Sequence, residues 1–136
     1  SSLLSSSSSS SSSLRRREAR YAFMSVSNEV GIASAPCGWV RMDLWTGDVK
    51  PCYTGTRRFS EEIVVVPKAS KSSNENEDDD EASARCWLLG MFYDAEQKRS
   101  ALAVVDGETM ERVATLWLKH ASPHGLHGSW KAPPRQ

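Results

Sequence analysis

Residues 85–118 read "RCWLLGMFYDAEQKRSALAVVDGETMERVATLWL", and the spacing of apolar residues in this stretch decides the fold class. Its apolar runs are too short for ordinary helices and are separated by the polar segments "AEQKRS" and "GETMER". Short runs rich in β-branched and aromatic residues and bounded by turn residues read as strands. "RCWLLGMFYD" is apolar on both faces, which suits a strand covered from two sides. "ALAVVD" and "VATLWL" then carry the chain back and forth beside it. Upstream, "EEIVVVP" is β-branched, closes at Pro67 and reads as a buried strand. The pattern predicts an antiparallel meander of residues 63–66, 86–93, 101–106 and 113–118. No segment sustains a 3.6-residue apolar repeat, so the class is all-β.

Working toward the N-terminus, "WVRMDLW" alternates, with Val40, Met42 and Leu44 expected on the buried face and Arg41 and Asp43 on the other. Thr46-Gly47-Asp48 reverses the chain into "VKPCY", a hairpin in which Pro51 is tolerable only at an edge. Between the hairpin and residue 85 lies "ASKSSNENEDDDEASA", residues 69–84, a polar insertion longer than most loops. It carries Glu75, Glu77, Asp78, Asp79, Asp80 and Glu81, and reads as a solvated loop. Formal net charge is zero from 17 basic and 17 acidic residues, so outside this block basic residues are in excess. No nucleic-acid partner is expected.

The opening "SSLLSSSSSSSSS" offers almost no apolar surface against the entropy of ordering. Residues 1–20 are therefore expected to be a low-complexity segment, 21–131 the folded part and 132–136 a tail. The Ser-rich, Arg-bearing start is like a transit peptide in composition, yet the chain lacks an initiating methionine, and the expectation is a partial gene product. No apolar run approaches the roughly 20 residues of a membrane span, which leaves room for peripheral membrane contact. Cys37, Cys52 and Cys86 have neither zinc-site spacing nor an even count, and read as reduced, partly buried thiols.

The histidines all fall in "LKHASPHGLHGSW", residues 118–130. His120, His124 and His127 would share one face of a helix, a plausible local zinc site, but Pro123, Gly125 and Gly128 argue against a helix there. Strand, bend and a further extended piece are expected instead, with the three imidazoles diverging.

"LWLKHASPHGLHGSW" resembles the C-terminal signature of the carotenoid cleavage oxygenases, in which a proline-aromatic-glycine bend precedes a His-Gly pair. "GWVRMDLWTGDV" is similar to that family's hairpin with a D-x-x-T-G turn, "FSEEIVVVP" to its S-E-P strand, and "ARCWLLGMFYDAEQKRSALAVVDGETME" to its V-Y-D … S-x-L-x-I-L-D-A-x-T-M passage. The resemblance covers residues 21–130. His124 stands at the aromatic place of the bend and Glu62 at the proline place of the S-E-P strand.

The resemblance implies the C-terminal blade or blades of a seven-bladed β-propeller. It also implies an oxidoreductase: a dioxygenase that uses Fe(II), held on four histidines from separate blades, and O2 to cleave a conjugated double bond of a carotenoid or apocarotenoid. By position, His127 is the one metal ligand and catalytic residue represented here. Innermost propeller strands converge on a central channel, so separate blades can each supply an imidazole to one metal. Neutral imidazole suits Fe(II), and ligation by nitrogen alone leaves positions open for O2. The glutamates that orient ligand imidazoles cannot be assigned from the residues, and Glu61 is expected only to order a loop or strand end. His120 is expected to bond loop backbone, His124 to pack as an aromatic would, and Trp87, Trp117 and Trp130 to form core or channel wall. The isolated chain is expected to be inactive. A carotenoid substrate in a photosynthetic host would favour a plastid. The alternative reading is a non-catalytic, free-standing β interaction module in which His127 is a structural relic.

Overall fold

Among the described residues, three strands end at an aspartate. The computed structural model describes residues 19–31, 34–69, 84–125 and 127–132, and so the serine tract, most of the acidic insertion and the last four residues lie outside it. The strands are β1 (Tyr21–Val26), β2 (Gly38–Asp43), β3 (Val49–Tyr53), β4 (Arg58–Pro67), β5 (Cys86–Asp94), β6 (Arg99–Asp106) and β7 (Arg112–Trp117). They form two antiparallel sheets, β1-β2-β3 and β4-β5-β6-β7. The expected four-stranded meander is therefore observed, with β4 starting earlier than "EEIVVVP". Among the described residues no helix is long and apolar enough to cross a membrane.

Asp43, Asp94 and Asp106 end β2, β5 and β6, and each makes the same turn. One carboxylate oxygen accepts two consecutive backbone N–H groups: Trp45 and Thr46 at 2.9 and 3.3 Å, Glu96 and Gln97 at 3.0 and 2.8 Å, Glu108 and Thr109 at 2.8 and 3.3 Å. The fourth residue onward adopts a left-handed conformation in all three, Gly47 (φ 80°), Lys98 (φ 52°) and Met110 (φ 58°). This is the turn chemistry that returns a hairpin in register. The other carboxylate oxygen takes a cation: Arg20 Nη2 at 3.0 Å on Asp43, Arg58 Nε at 2.8 Å on Asp94, Lys68 Nζ at 2.8 Å on Asp106.

All three carboxyls are held below the ordinary aspartate range. For Asp94 the Gln97 N–H has the largest effect, with Arg58 and the Glu96 N–H adding to it against burial. For Asp43 and Asp106 burial opposes ionisation most, and the Arg20 and Lys68 bonds with the turn amides outweigh it.

The two sheets meet where β1 and β2 lie against β4, and the Trp39 side chain reaches past β4 to β5. Trp39 is fully buried, and its indole lies on Gly90, where an added methyl would overlap the ring. Around it β5 and β6 supply Leu88, Phe92, Ala101, Ala103 and Val105, all at 0% exposure. Their register puts these residues on one face of the second sheet, since Leu88 pairs Val105, Gly90 pairs Ala103 and Phe92 pairs Ala101. Trp117 closes one end, edge-on to Phe92 at 5.6 Å.

Three expectations need correction. On β2 it is the face of Trp39 and Arg41 that meets the second sheet: Arg41 Nη1 donates to the Gly107 carbonyl at 3.0 Å, and Leu44 lies in the turn, 52% exposed. Val40 is buried on the opposite face, as expected, so β2 carries buried residues on both faces and the alternation does not separate a buried face from an exposed one. "IVVV" is half-buried and not buried, with Val65 43% exposed, because β4 is the first strand of its sheet and has one neighbour. β1, which sequence reading passed over, completes the first sheet and leaves β3 with Pro51 at the edge, as expected for that proline.

Gly90→Ala should cost about 1–3 kcal/mol through overpacking against the indole, read as a lower urea midpoint at unchanged slope. An unchanged midpoint would show that Trp39 is not seated there. Stability from Asp94 should be whole above the ordinary aspartate pKa and lost as pH falls through its depressed folded value. Asp94→Asn keeps the turn acceptor but loses the Arg58 ion pair, so acid unfolding followed by circular dichroism should be less steep in the variant than in the parent chain.

Candidate functional site

A break in the β4–β5 ladder builds the site. Ser60 pairs Phe92 and Ile63 pairs Gly90, so Glu61 and Glu62 together oppose Met91. Consecutive residues of a regular strand point to opposite faces, and a bulge relaxes that rule. Here it lets both carboxylates reach one stretch of chain, His124 to His127. Glu61 Oε1 lies 3.4 Å from His124 Nδ1, and His127 Nδ1 donates to Glu62 Oε2 at 2.9 Å.

The histidine segment arrives from β7 without forming a helix. Leu118 N–H donates to the Ser100 carbonyl at 2.9 Å and Ser122 N–H to Ser100 Oγ at 2.9 Å, which carries the chain across the end of β6. Beyond Pro123 its described residues lie against β4. Two close approaches account for the glycines there: a Cβ on Gly125 would sit 3.1 Å from Glu61 Oε2, and one on Gly128 3.1 Å from Val64. The expected strand and bend are observed, and the described residues beyond them form neither helix nor strand.

The three imidazoles have different surroundings. His120 is exposed, and it is its carbonyl that takes the Ser100 N–H, at 3.3 Å, so the expected backbone role belongs to the main chain. His124 lies edge-on to Tyr93 at 6.3 Å, a contact an aromatic residue could make at that place. His127 is exposed, with 77% of its side chain open to solvent and Nδ1 engaged by Glu62. A carboxylate can only accept, so this contact puts the proton on Nδ1 and leaves the Nε2 lone pair outward. That donor chemistry fits one ligand of a divalent metal. Among the described residues no three His, Cys, Asp or Glu side chains form a group that could hold a metal ion.

Beside His127 is an apolar groove of about 270 Å³. Val64, Leu89, Met91 and Leu102 line it from the face of the second sheet that points away from Trp39, and Trp130 lines it from the C-terminal segment. Trp130 is 52% exposed where it lines this groove, whereas Trp87 is half-buried with Lys68 Nζ 4.5 Å from its ring centre. Cys37, Cys52 and Cys86 are free, as expected, and burial pushes the Cys52 and Cys86 thiols up.

Sequence reasoning named His127 but could not name its carboxylate partner. The available signal was the doubled glutamate in "SEEIVVVP", where a regular strand would send one of the pair to each face. Glu61, expected to order a loop or strand end, lies instead at the bulge within β4, where its carbonyl accepts Trp39 Nε1–H at 2.9 Å and Ser25 Oγ–H at 3.1 Å.

Comparison with known proteins bears on the fold and the family. The apocarotenoid-15,15'-oxygenase of Synechocystis sp. is 32% identical over 117 residues, which cover 84% of this chain and 22% of the relative. The crystal structure of the cobalt-substituted Synechocystis apocarotenoid oxygenase superposes with a TM-score of 0.71 at 28% identity, over 86% of this chain and 23% of that one. A chimera of that oxygenase with the retinal pigment epithelial membrane protein superposes with a TM-score of 0.71 at 25% identity over the same shares. The chain thus spans about a fifth of the length of these relatives. The expected fold class holds: the two antiparallel sheets are all-β blades from the C-terminal part of the seven-bladed propeller of these enzymes. Residues 9–132 match the sequence profile of the retinal pigment epithelial membrane protein family, and the chain belongs to that family, the carotenoid oxygenases.

Proposed function

We propose that this chain is the C-terminal portion of an iron-dependent dioxygenase that cleaves a conjugated double bond of a carotenoid or apocarotenoid, and that His127 is its contribution to the metal site. One observation carries the reading: the His127 imidazole stands at an apolar groove with Nδ1 engaged by Glu62 at 2.9 Å. Fe(II) on imidazole nitrogens would supply O2 activation, with positions left open for the gas. The chain's own residues do the rest. Glu62 accepts a hydrogen bond from Nδ1–H and thereby fixes the ring's orientation and tautomer. Gly125 and Gly128 let the segment lie close against β4. Val64, Leu89, Met91, Leu102 and Trp130 offer a polyene apolar contact and keep water from that wall. His124, held by Glu61 and Tyr93, stays a packing residue.

One histidine cannot set the affinity and geometry of a multi-ligand site. Purified alone, the 136-residue chain is therefore expected to carry no stoichiometric iron by mass spectrometry and to leave carotenoids uncleaved. One equivalent of iron with turnover would contradict the reading. In a chimera with residues 21–131 in place of the matching C-terminal part of the Synechocystis oxygenase, His127→Ala should abolish both metal content and apocarotenoid cleavage. His124→Phe should keep both. Retention in the first variant with loss in the second would overturn the assignment and favour a non-catalytic module.

A further inference from the structure

Trp39 lies in the first sheet, yet its indole N–H is directed at the bulge of the second. Packing on Gly90 asks nothing of Nε1, since a phenyl ring could occupy that seat. The nitrogen donates to the Glu61 carbonyl at 2.9 Å, and Ser25 Oγ of β1 donates to the same oxygen at 3.1 Å. Glu61 and Glu62 have no one-to-one partner on β5, so this carbonyl is outside the regular ladder pairing. A backbone oxygen has two lone pairs, and the first sheet fills both. Ser60, one residue earlier, is tied to the same sheet: its N–H donates to the Pro36 carbonyl at 2.8 Å and its hydroxyl to the Gly38 carbonyl at 3.3 Å. The bulge is thus held from outside its own sheet, at the residues whose side chains meet His124 and His127.

We propose that Trp39, assisted by Ser25, is a positioning residue for His127: its indole N–H holds the Glu61 carbonyl, which fixes the bulge so that the Glu62 carboxylate sits on His127 Nδ1. Trp39 touches neither imidazole and acts through the backbone of β4. Buried indole N–H groups seek a partner, and here the partner is the one main-chain atom whose position decides where both glutamates go. The functional consequence rests on the reading of His127 as a metal ligand. That reading is tested by metal content, whereas the positioning is tested by the state of the His127 ring in the chain itself, so either can fail without the other.

The test is the tautomer of His127 in the full chain, read from long-range 1H–15N correlations at about pH 8, above the ordinary histidine range. In the parent chain the Nδ1-protonated form should dominate. Trp39→Phe keeps a ring on Gly90 and removes only the donor. It should preserve the fold by circular dichroism while the Nδ1-protonated form becomes minor. Ser25→Ala, which removes the second donor from an exposed side chain, should lower that form to an intermediate fraction. A parent chain without the Nδ1-protonated form, or a folded Trp39→Phe with the parent's tautomer ratio, would overturn the proposal. If Trp39→Phe does not fold, Ser25→Ala decides: a reduced fraction supports the assignment and an unchanged one defeats it.

Discussion

The contact on which the rest of the structure depends is the Trp39 indole lying on Gly90 with its nitrogen on the Glu61 carbonyl. It joins the sheets by shape and by a directional bond at once. Only a residue without a Cβ admits the ring there, and only an indole among the apolar side chains brings an N–H with it. The core forms around this contact. Ala101 and Ala103 on β6 are small beside the ring, and Leu88, Phe92 and Val105 fill the remaining space. The same contact reaches the functional edge of the molecule, because the oxygen it holds belongs to the bulge of β4.

A propeller blade is a stack of hairpins, and here the three tight ones, β2–β3, β5–β6 and β6–β7, are closed by one device. An aspartate takes two turn amides on one oxygen and a cation on the other. Arg58 and Lys68 lie on or beside β4 while their aspartates end β5 and β6, so these ion pairs also tie the turns to a third strand. Arg20 does the equivalent for the first sheet, just ahead of β1. With the turns set this way, period-two alternation sends Leu88 and Phe92 inward and leaves Leu89 and Met91 to the groove beside His127.

The strands were legible where local chemistry decides them. β5, β6 and β7 follow from short apolar runs and polar turns, and Pro51 marked β3 as an edge. The faces of β2 were not legible, because Val40 and Met42 look like the buried set until Gly90 is seen opposite Trp39 on a strand fifty residues away. β1 was missed for a related reason: Tyr21, Phe23 and Ser25 alternate only weakly, and its pairing with β2 crosses a loop. His127 was reached through the likeness of "SPHGLHGSW" to a known family and not through histidine spacing, which suggests a local zinc site that Pro123, Gly125 and Gly128 argue against. Its partner Glu62 was hidden, since the two-against-one register that turns it toward His127 is a property of the β4–β5 pair.

The central claim is that the carboxylate of the β4 bulge holds Nδ1 of His127 and leaves Nε2 for a metal shared with other blades. It is tested most directly by a metal-loaded crystal of the chimera with the Synechocystis oxygenase, with the ion located by anomalous scattering. The account predicts a peak within coordination distance of His127 Nε2 while Nδ1 remains on the bulge carboxylate. A peak remote from His127, or one on Nδ1 with the carboxylate displaced, would contradict it.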